Sequence, residues 1–158
     1  MKILYAASEA MPFIKTGGLA DVAGALPAAL SKIKDNEVFV ILPYYKAIKY
    51  NPDFKIEFIK SFGVPLAWRH TYAGLFKAVI KNPGVGKNKR SDIVYYFIDN
   101  EYYFGRDKIY GHSDDVEVFA YFCKAVLECL QHIELEPDVI HCNDWQTGFI
   151  PLFLKFSS

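Results

Sequence analysis

A chain of 158 residues with 52% hydrophobic and 16% aromatic content is long enough for one well-cored domain and too short for two ordinary ones. Its 18 basic and 18 acidic side chains cancel, which argues against a nucleic-acid or anionic-membrane surface built on bulk charge and points to a small or neutral partner. Cys123, Cys129 and Cys142 are odd in number and form no CxxC pair, so reduced thiols are expected rather than a disulfide frame or a zinc site. The N-terminal MKILYAASEA is too short in its apolar run for a signal sequence, and no later stretch reaches the length of a membrane span. These features predict a cytoplasmic protein.

In chain order, residues 2–8, KILYAAS, form an apolar run of the kind buried on both faces of a parallel sheet. The loop EAMPFIKTGG follows, and then Leu19, Val22, Ala23, Leu26, Leu30 and Ile33 recur at helical spacing. Pro27 falls inside that helix, where a missing N–H predicts a kink or a division. Residues 37–42, EVFVIL, read as a second strand ended by Pro43. Residues 54–62 and 68–80 read as an antiparallel excursion, followed by the Gly- and Lys-rich loop KNPGVGKNKRSD. Residues 93–98 form another buried strand. The turn-rich NEYYFGRDKIYGHS then makes an irregular loop suited to lining a cleft. From Asp114, a stripe from Val116 through Phe119, Cys123 and Val126 to Ile133 predicts a long helix, with Asp114 and Glu117 spaced as a capping box. Residues 137–141 predict the last strand, and Asn143 and Asp144 turn into a final helix running from Gln146 to about Phe156. The pattern is that of an α/β, Rossmann-like, doubly wound parallel sheet.

In such a sheet, ligands bind beyond the carboxyl ends of the strands, where the strand order reverses. Two loops occupy those ends. The first carries Lys15, Thr16, Gly17 and Gly18 just before a helix. Glycine there lets a phosphate approach the backbone, the helix amides favour an anion, and the lysine adds a mobile cation. An ordinary turn with a solvated lysine accounts for the same residues. Asp21 is likewise explained by the helix dipole alone. The loop has neither a GxGxxG nor a GxxxxGK pattern, which disfavours a dinucleotide oxidoreductase and an ATPase. The second loop, HCNDWQT, gathers His141, Asn143, Asp144, Trp145 and Gln146, whose polar groups suit sugar hydroxyls and whose indole offers an apolar face. Helix capping by Asp144 or Asn143, with Trp145 packed at the helix root, is the competing account.

SEAMPFIKTGGLADVAGALPAAL, residues 8–30, closely resembles the N-terminal signature of the bacterial-type, ADP-glucose-dependent glycogen and starch synthases, and PDVIHCNDWQTGFIPLFLK resembles their second motif. The resemblance implies the GT-B architecture of two Rossmann-like domains facing a cleft, with residues 1–158 as a truncated N-terminal domain and the C-terminal domain absent. It implies glucosyl transfer from ADP-glucose to the non-reducing end of an α-1,4-glucan with retained configuration, without cofactor or metal. It places Lys15, Gly17 and Gly18 at the donor's diphosphate, Asp144 at the donor glucose or reaction centre as the catalytic residue, and Asp21, Tyr110, Trp145 and Gln146 among the residues that bind the nucleotide sugar. The sequence departs from the pattern at Gln146 and Asn143, where family members often carry histidine. Two alternatives stay open: another GT-B transferase using a UDP-sugar, and a non-catalytic carbohydrate-binding or interaction domain. The chain alone is expected to be inactive, because a GT-B donor site is shared between two domains, and its final helix, with Phe149, Ile150, Leu152 and Phe153, is expected to favour self-association.

Overall fold

The computed structural model describes residues 1–81 and 92–156; most of the KNPGVGKNKRSD loop lies outside them. The chain runs through β1 (Lys2–Ala6), α1 (Gly18–Leu30), β2 (Glu37–Pro43), α2 (Lys46–Lys49), β3 (Glu57–Leu66), β4 (Arg69–Ile80), β5 (Ile93–Asp99), α3 (Glu101–Phe104), α4 (Asp115–His132), β6 (Val139–Cys142), a 3₁₀ turn (Trp145–Thr147) and α5 (Phe149–Phe156). One six-stranded sheet has the order β3-β4-β5-β2-β1-β6. β1, β2, β5 and β6 are parallel, while β3 and β4 add antiparallel to one edge. The expected antiparallel excursion is therefore an extension of the main sheet.

β1 is central, flanked by β2 on one side and β6 on the other, and four of its five residues are buried. That explains its unbroken apolar run, since a strand covered on both faces has no solvent side to make polar. Leu4 lies level with Phe39 of β2 and Ile140 of β6. From β1 the chain steps to β2 and on toward β5, then crosses back to place β6 on the far side. The direction of winding reverses at β1, and the loops after β1 and β6 flank that switch point.

The core is rich in rings: Tyr5, Tyr45, Tyr95, Phe97, Phe104, Phe119, Tyr121 and Phe122 are all buried. Rings left outside include Tyr50, Trp68 at the β3–β4 turn, and Tyr102. Cys123 and Cys129 are buried in α4, and burial pushes the Cys123 thiol up to about 12. Among the described residues no helix is long and apolar enough to cross a membrane.

Several local expectations are corrected. Pro27 does not divide α1, because it stands in the last turn, where only one helical carbonyl partner is lost, and Ser31 N–H still donates to its carbonyl at 2.9 Å. The helix packs through the small residues Ala20, Ala23 and Pro27, while Val22 of the predicted stripe is exposed. Within the loop read as irregular, Glu101–Phe104 forms a short helix capped by Asn100. Asp114 and Glu117 form no capping box. The Asp114 carboxylate is held by the Arg106 guanidinium at 2.6 and 2.7 Å, and Glu117 accepts from Tyr103 Oη at 2.6 Å. Asp115 serves the turn before α4 instead, accepting from the Gly111 amide at 2.8 Å and the His112 amide at 3.2 Å. The final helix is broken into a 3₁₀ turn and α5, and Ile150 is buried rather than available for association; Leu152, Leu154 and Phe156 are exposed.

Candidate functional site

The first loop leaves β1 with Ser8 and Glu9 both buried. Ser8 is held from two sides: Tyr45 Oη donates to its carbonyl at 2.7 Å, and its hydroxyl shares a 2.5 Å hydrogen bond with Tyr110 Oη. Met11 then crosses α1. Its amide donates to the Ala20 carbonyl at 3.0 Å, and a Cβ on Gly24 would lie 2.9 Å from Met11 Cβ, so only glycine permits this approach. The loop returns to Thr16, whose amide and hydroxyl both donate to Glu9 Oε2, at 2.6 and 2.7 Å. Lys15, next to it, pairs with both carboxylate oxygens of Asp21 at 2.8 Å, and both side chains are substantially exposed.

The glycines make no left-handed turn: Gly17 is extended at φ −161° and neither glycine has positive φ. Their contribution is space: a Cβ at either position would meet nothing within 4 Å. Gly17 is the N-cap of α1 and supplies no side chain to it. The positive end of the helix is thus left accessible to an anion.

The strained position lies in the second loop. Asp144 has φ 66° and ψ −177°, a region that L-residues other than glycine rarely enter and that costs on the order of 1–3 kcal/mol. The surroundings hold it there. The Asn143 amide donates to Ala6 O at 3.1 Å, its side-chain amide donates to Tyr5 Oη at 2.7 Å, and Tyr5 stacks on His141 with centroids 4.6 Å apart. Beyond it, Trp145 N–H donates to Asp144 Oδ1 at 2.7 Å, and Thr147 Oγ1 donates to the carbonyls of Asn143 and Asp144. Asp144 therefore does cap the 3₁₀ turn. Trp145 sets its ring edge against Phe119 at 5.3 Å while half its surface stays exposed. Gln146 is only 4% exposed, and its Oε1 has no hydrogen-bond partner.

Because β1 and β6 are parallel neighbours, Lys15 and Asp144 belong to loops that leave the same end of the sheet. Tyr110 joins the two. It is bonded to Ser8 of the first loop, and burial pushes its phenol up to about 12, with the negative charges of Glu9 and Asp144 raising it further against the lowering effect of the Ser8 bond. At that value it stays protonated at neutral pH, able both to donate and to accept. A cavity of about 450 Å³ opens beside it, lined by Lys15, Thr16, Ala47 and residues 106–110, so the loop before α4 does line a cleft. A second cavity of about 490 Å³ lies between the end of α4 and the start of β6, at the opposite end of the sheet. It is lined by Glu134 and Glu136 and by no basic residue, a poor place for a phosphate.

A model of the starch synthase catalytic domain matches residues 2–158. The chain belongs to that family. The glycogen synthase of Exiguobacterium sibiricum is 51% identical over 158 residues, covering 98% of this chain and 30% of that protein. That of Clostridium kluyveri is 50% identical over 155 residues with the same shares. Among solved structures, the catalytic domain of starch synthase IV from Arabidopsis thaliana, bound to ADP and acarbose, superposes with a TM-score of 0.79 at 30% identity, over 96% of this chain and 30% of that one. The chain thus spans about a third of the length of the relatives it matches.

The loops after β1 and β6 carry Lys15, the uncapped start of α1, the strained Asp144 and the buried Gln146, and Tyr110 is bonded to Ser8 of the first of them. Sequence reading named Lys15, Gly17, Gly18, Asp21, Tyr110, Asp144, Trp145 and Gln146, all of which lie on loops and helix starts at the carboxyl ends of β1 and β6 or on the segment packed against them. It assigned no role to Glu9, Ser8 or Arg106. The signal for Glu9 was present: an acid directly after a strand buried on both faces is out of place unless its charge is used. Among the described residues no group of three His, Cys, Asp or Glu side chains is arranged to hold a metal.

Proposed function

We propose that this chain forms the N-terminal wall of a retaining glucosyltransferase that moves glucose from ADP-glucose to the non-reducing end of an α-1,4-glucan. The observation that supports the reading is the parallel pairing of β1 and β6, which sends the loop carrying Lys15 and the uncapped start of α1, and the loop carrying Asp144, from the same end of the sheet. Cleaving the glucose–phosphate bond builds negative charge on the diphosphate and oxocarbenium character on the sugar. Lys15, leaving Asp21, and the amides from Gly17 onward stabilise the first; Asp144 stands toward the second. The sugar is assigned to Tyr110, Trp145 and Gln146, of which Gln146 is buried with its Oε1 unpartnered. No metal is assigned a part, and undiminished transfer in excess EDTA is expected. The solved relative from Arabidopsis thaliana binds ADP and acarbose, the two ligand classes this crevice is assigned.

The test uses an active synthase containing this chain. Lys15→Gln should raise the KM for ADP-glucose about tenfold or more, the worth of one charge-assisted contact, with an unchanged circular dichroism spectrum. The pair it breaks is an exposed one, which contributes little to stability. Equal rates with UDP-glucose would favour the UDP-sugar alternative. Unchanged kinetics in Lys15→Gln would return the lysine to solvent.

A further inference from the structure

We propose that Glu9 is a positioning residue for the donor site, its buried carboxylate fixing the Lys15–Gly18 turn in the place where a nucleoside diphosphate is held. The inference rests on the proposed donor-site function of that turn. Glu9 follows the central strand and is 2% exposed. A carboxylate taken out of water is costly unless its oxygens are bonded, and here Oε2 alone receives both the amide and the hydroxyl of Thr16, at 2.6 and 2.7 Å.

The rest of the loop is anchored, which is why this one contact decides where Lys15 sits. Phe13 lies among Phe54, Tyr95 and Phe97, each with ring centroids 4.9 Å away. Ile14 N–H donates to the Ala10 carbonyl at 3.0 Å, closing a short bridge between the two ends of the turn. Glu9 and Thr16 then clamp the segment from Thr16 onward to the end of β1. Because the Thr16 amide is spent on Glu9, the diphosphate is left to Lys15 and the amides from Gly17 on.

The electrostatics give the inference a distinctive sign. A negative charge this close to an anion site opposes anion binding, so a Glu9 that acted only through charge would hinder the donor, and neutralising it would tighten ADP. A Glu9 that acts by position gives the opposite result when truncated and little change when replaced by its neutral isostere, since one Gln oxygen can accept both Thr16 bonds.

The experiment compares Glu9→Ala, Glu9→Gln and Lys15→Gln in an active synthase containing this chain. ADP binding is measured by calorimetry, and initial rates are taken with ADP-glucose and glycogen varied separately. The expected result is that Glu9→Ala weakens ADP and raises the ADP-glucose KM by about tenfold or more, the cost of a misplaced binding group. The glycogen KM should stay unchanged, and Glu9→Gln should restore donor binding to within about twofold. ADP binding as tight or tighter in Glu9→Ala overturns the inference, as does a parallel rise in both KM values that Glu9→Gln fails to rescue. If Lys15→Gln weakens ADP and Glu9→Ala does not, only this inference falls; if Lys15→Gln has no effect, the donor-site reading beneath it falls. Should Glu9→Ala not fold, Thr16→Val removes the hydroxyl bond while keeping the amide bond. A raised ADP-glucose KM is then expected, and an unaltered one overturns the proposal.

Discussion

Replacing Asp144 by glycine should make the domain more stable while abolishing transfer. At φ 66° and ψ −177° the native residue carries backbone strain of roughly 2 kcal/mol, the middle of the usual range. Glycine relieves it but adds about 0.5–1 kcal/mol of unfolded-state entropy, and exchanging an Asp cap for Gly costs a few tenths more. The balance is about 1 kcal/mol in favour of the variant, or an increase of roughly 2–4 °C in the melting transition of a domain of this size. Asp144→Ala keeps the strain and loses the bond to the Trp145 amide, 2.7 Å in the native chain, so it should fall about 1 kcal/mol below the native protein. The assay is a thermal melt of both variants in a synthase containing this chain, alongside glucose incorporation into glycogen. Both should be inactive, with stability in the order Gly above Asp above Ala. A glycine variant no more stable than the alanine one would show that the left-handed conformation is unstrained, and the case for a conformation maintained for function would fail.

Two further outcomes follow from the packing. Gly24→Ala places a Cβ 2.9 Å from Met11 Cβ and 3.0 Å from the Met11 carbonyl, so it should destabilise the domain by about 1–3 kcal/mol, lift the loop from α1 and raise the ADP-glucose KM. Urea melts and initial rates check it, and native stability would mean the loop moves freely. Stability should also decline at high pH. The Cys123 thiol and the Tyr95 and Tyr110 phenols are each pushed by burial to about 12 in the fold, above their ordinary values near 8.5 and 10. The unfolded chain releases these protons first, so their contribution is complete below about pH 8.5 and is lost as pH rises toward 12. Urea melts at pH 8 and pH 11 measure the drop, and equal midpoints would contradict the assigned burial.

The amino-acid sequence by itself determined the elements that periodicity can report. Ile3, Leu4 and Tyr5 had to form a strand covered on both faces, and the apolar spacing in Asp115–His132 had to form a helix, because burial imposes a period on the side chains wherever one face meets a core. It also marked the two loops of the candidate site, since Lys-Thr-Gly-Gly before a helix and Asn-Asp-Trp-Gln after a strand place polar groups where an α/β sheet binds ligands. Cap partners and strain were not legible, because each depends on which neighbours the folded chain supplies. Asp114 had the spacing of a capping box, yet Arg106 offered a charge-assisted, two-pronged bond that outcompeted a neutral amide. Positive φ is free at glycine, yet Gly17 and Gly18 do not adopt it and Asp144 does, where contacts from Tyr5, Ala6 and Thr147 impose it. Only the folded chain brings Glu9 to Thr16 and Ser8, 102 residues from Tyr110, to the same hydrogen bond. The tertiary structure decided the crevice itself, because β1 and β6 become neighbours only when the winding reverses at β1 and α4 carries the chain back across the sheet.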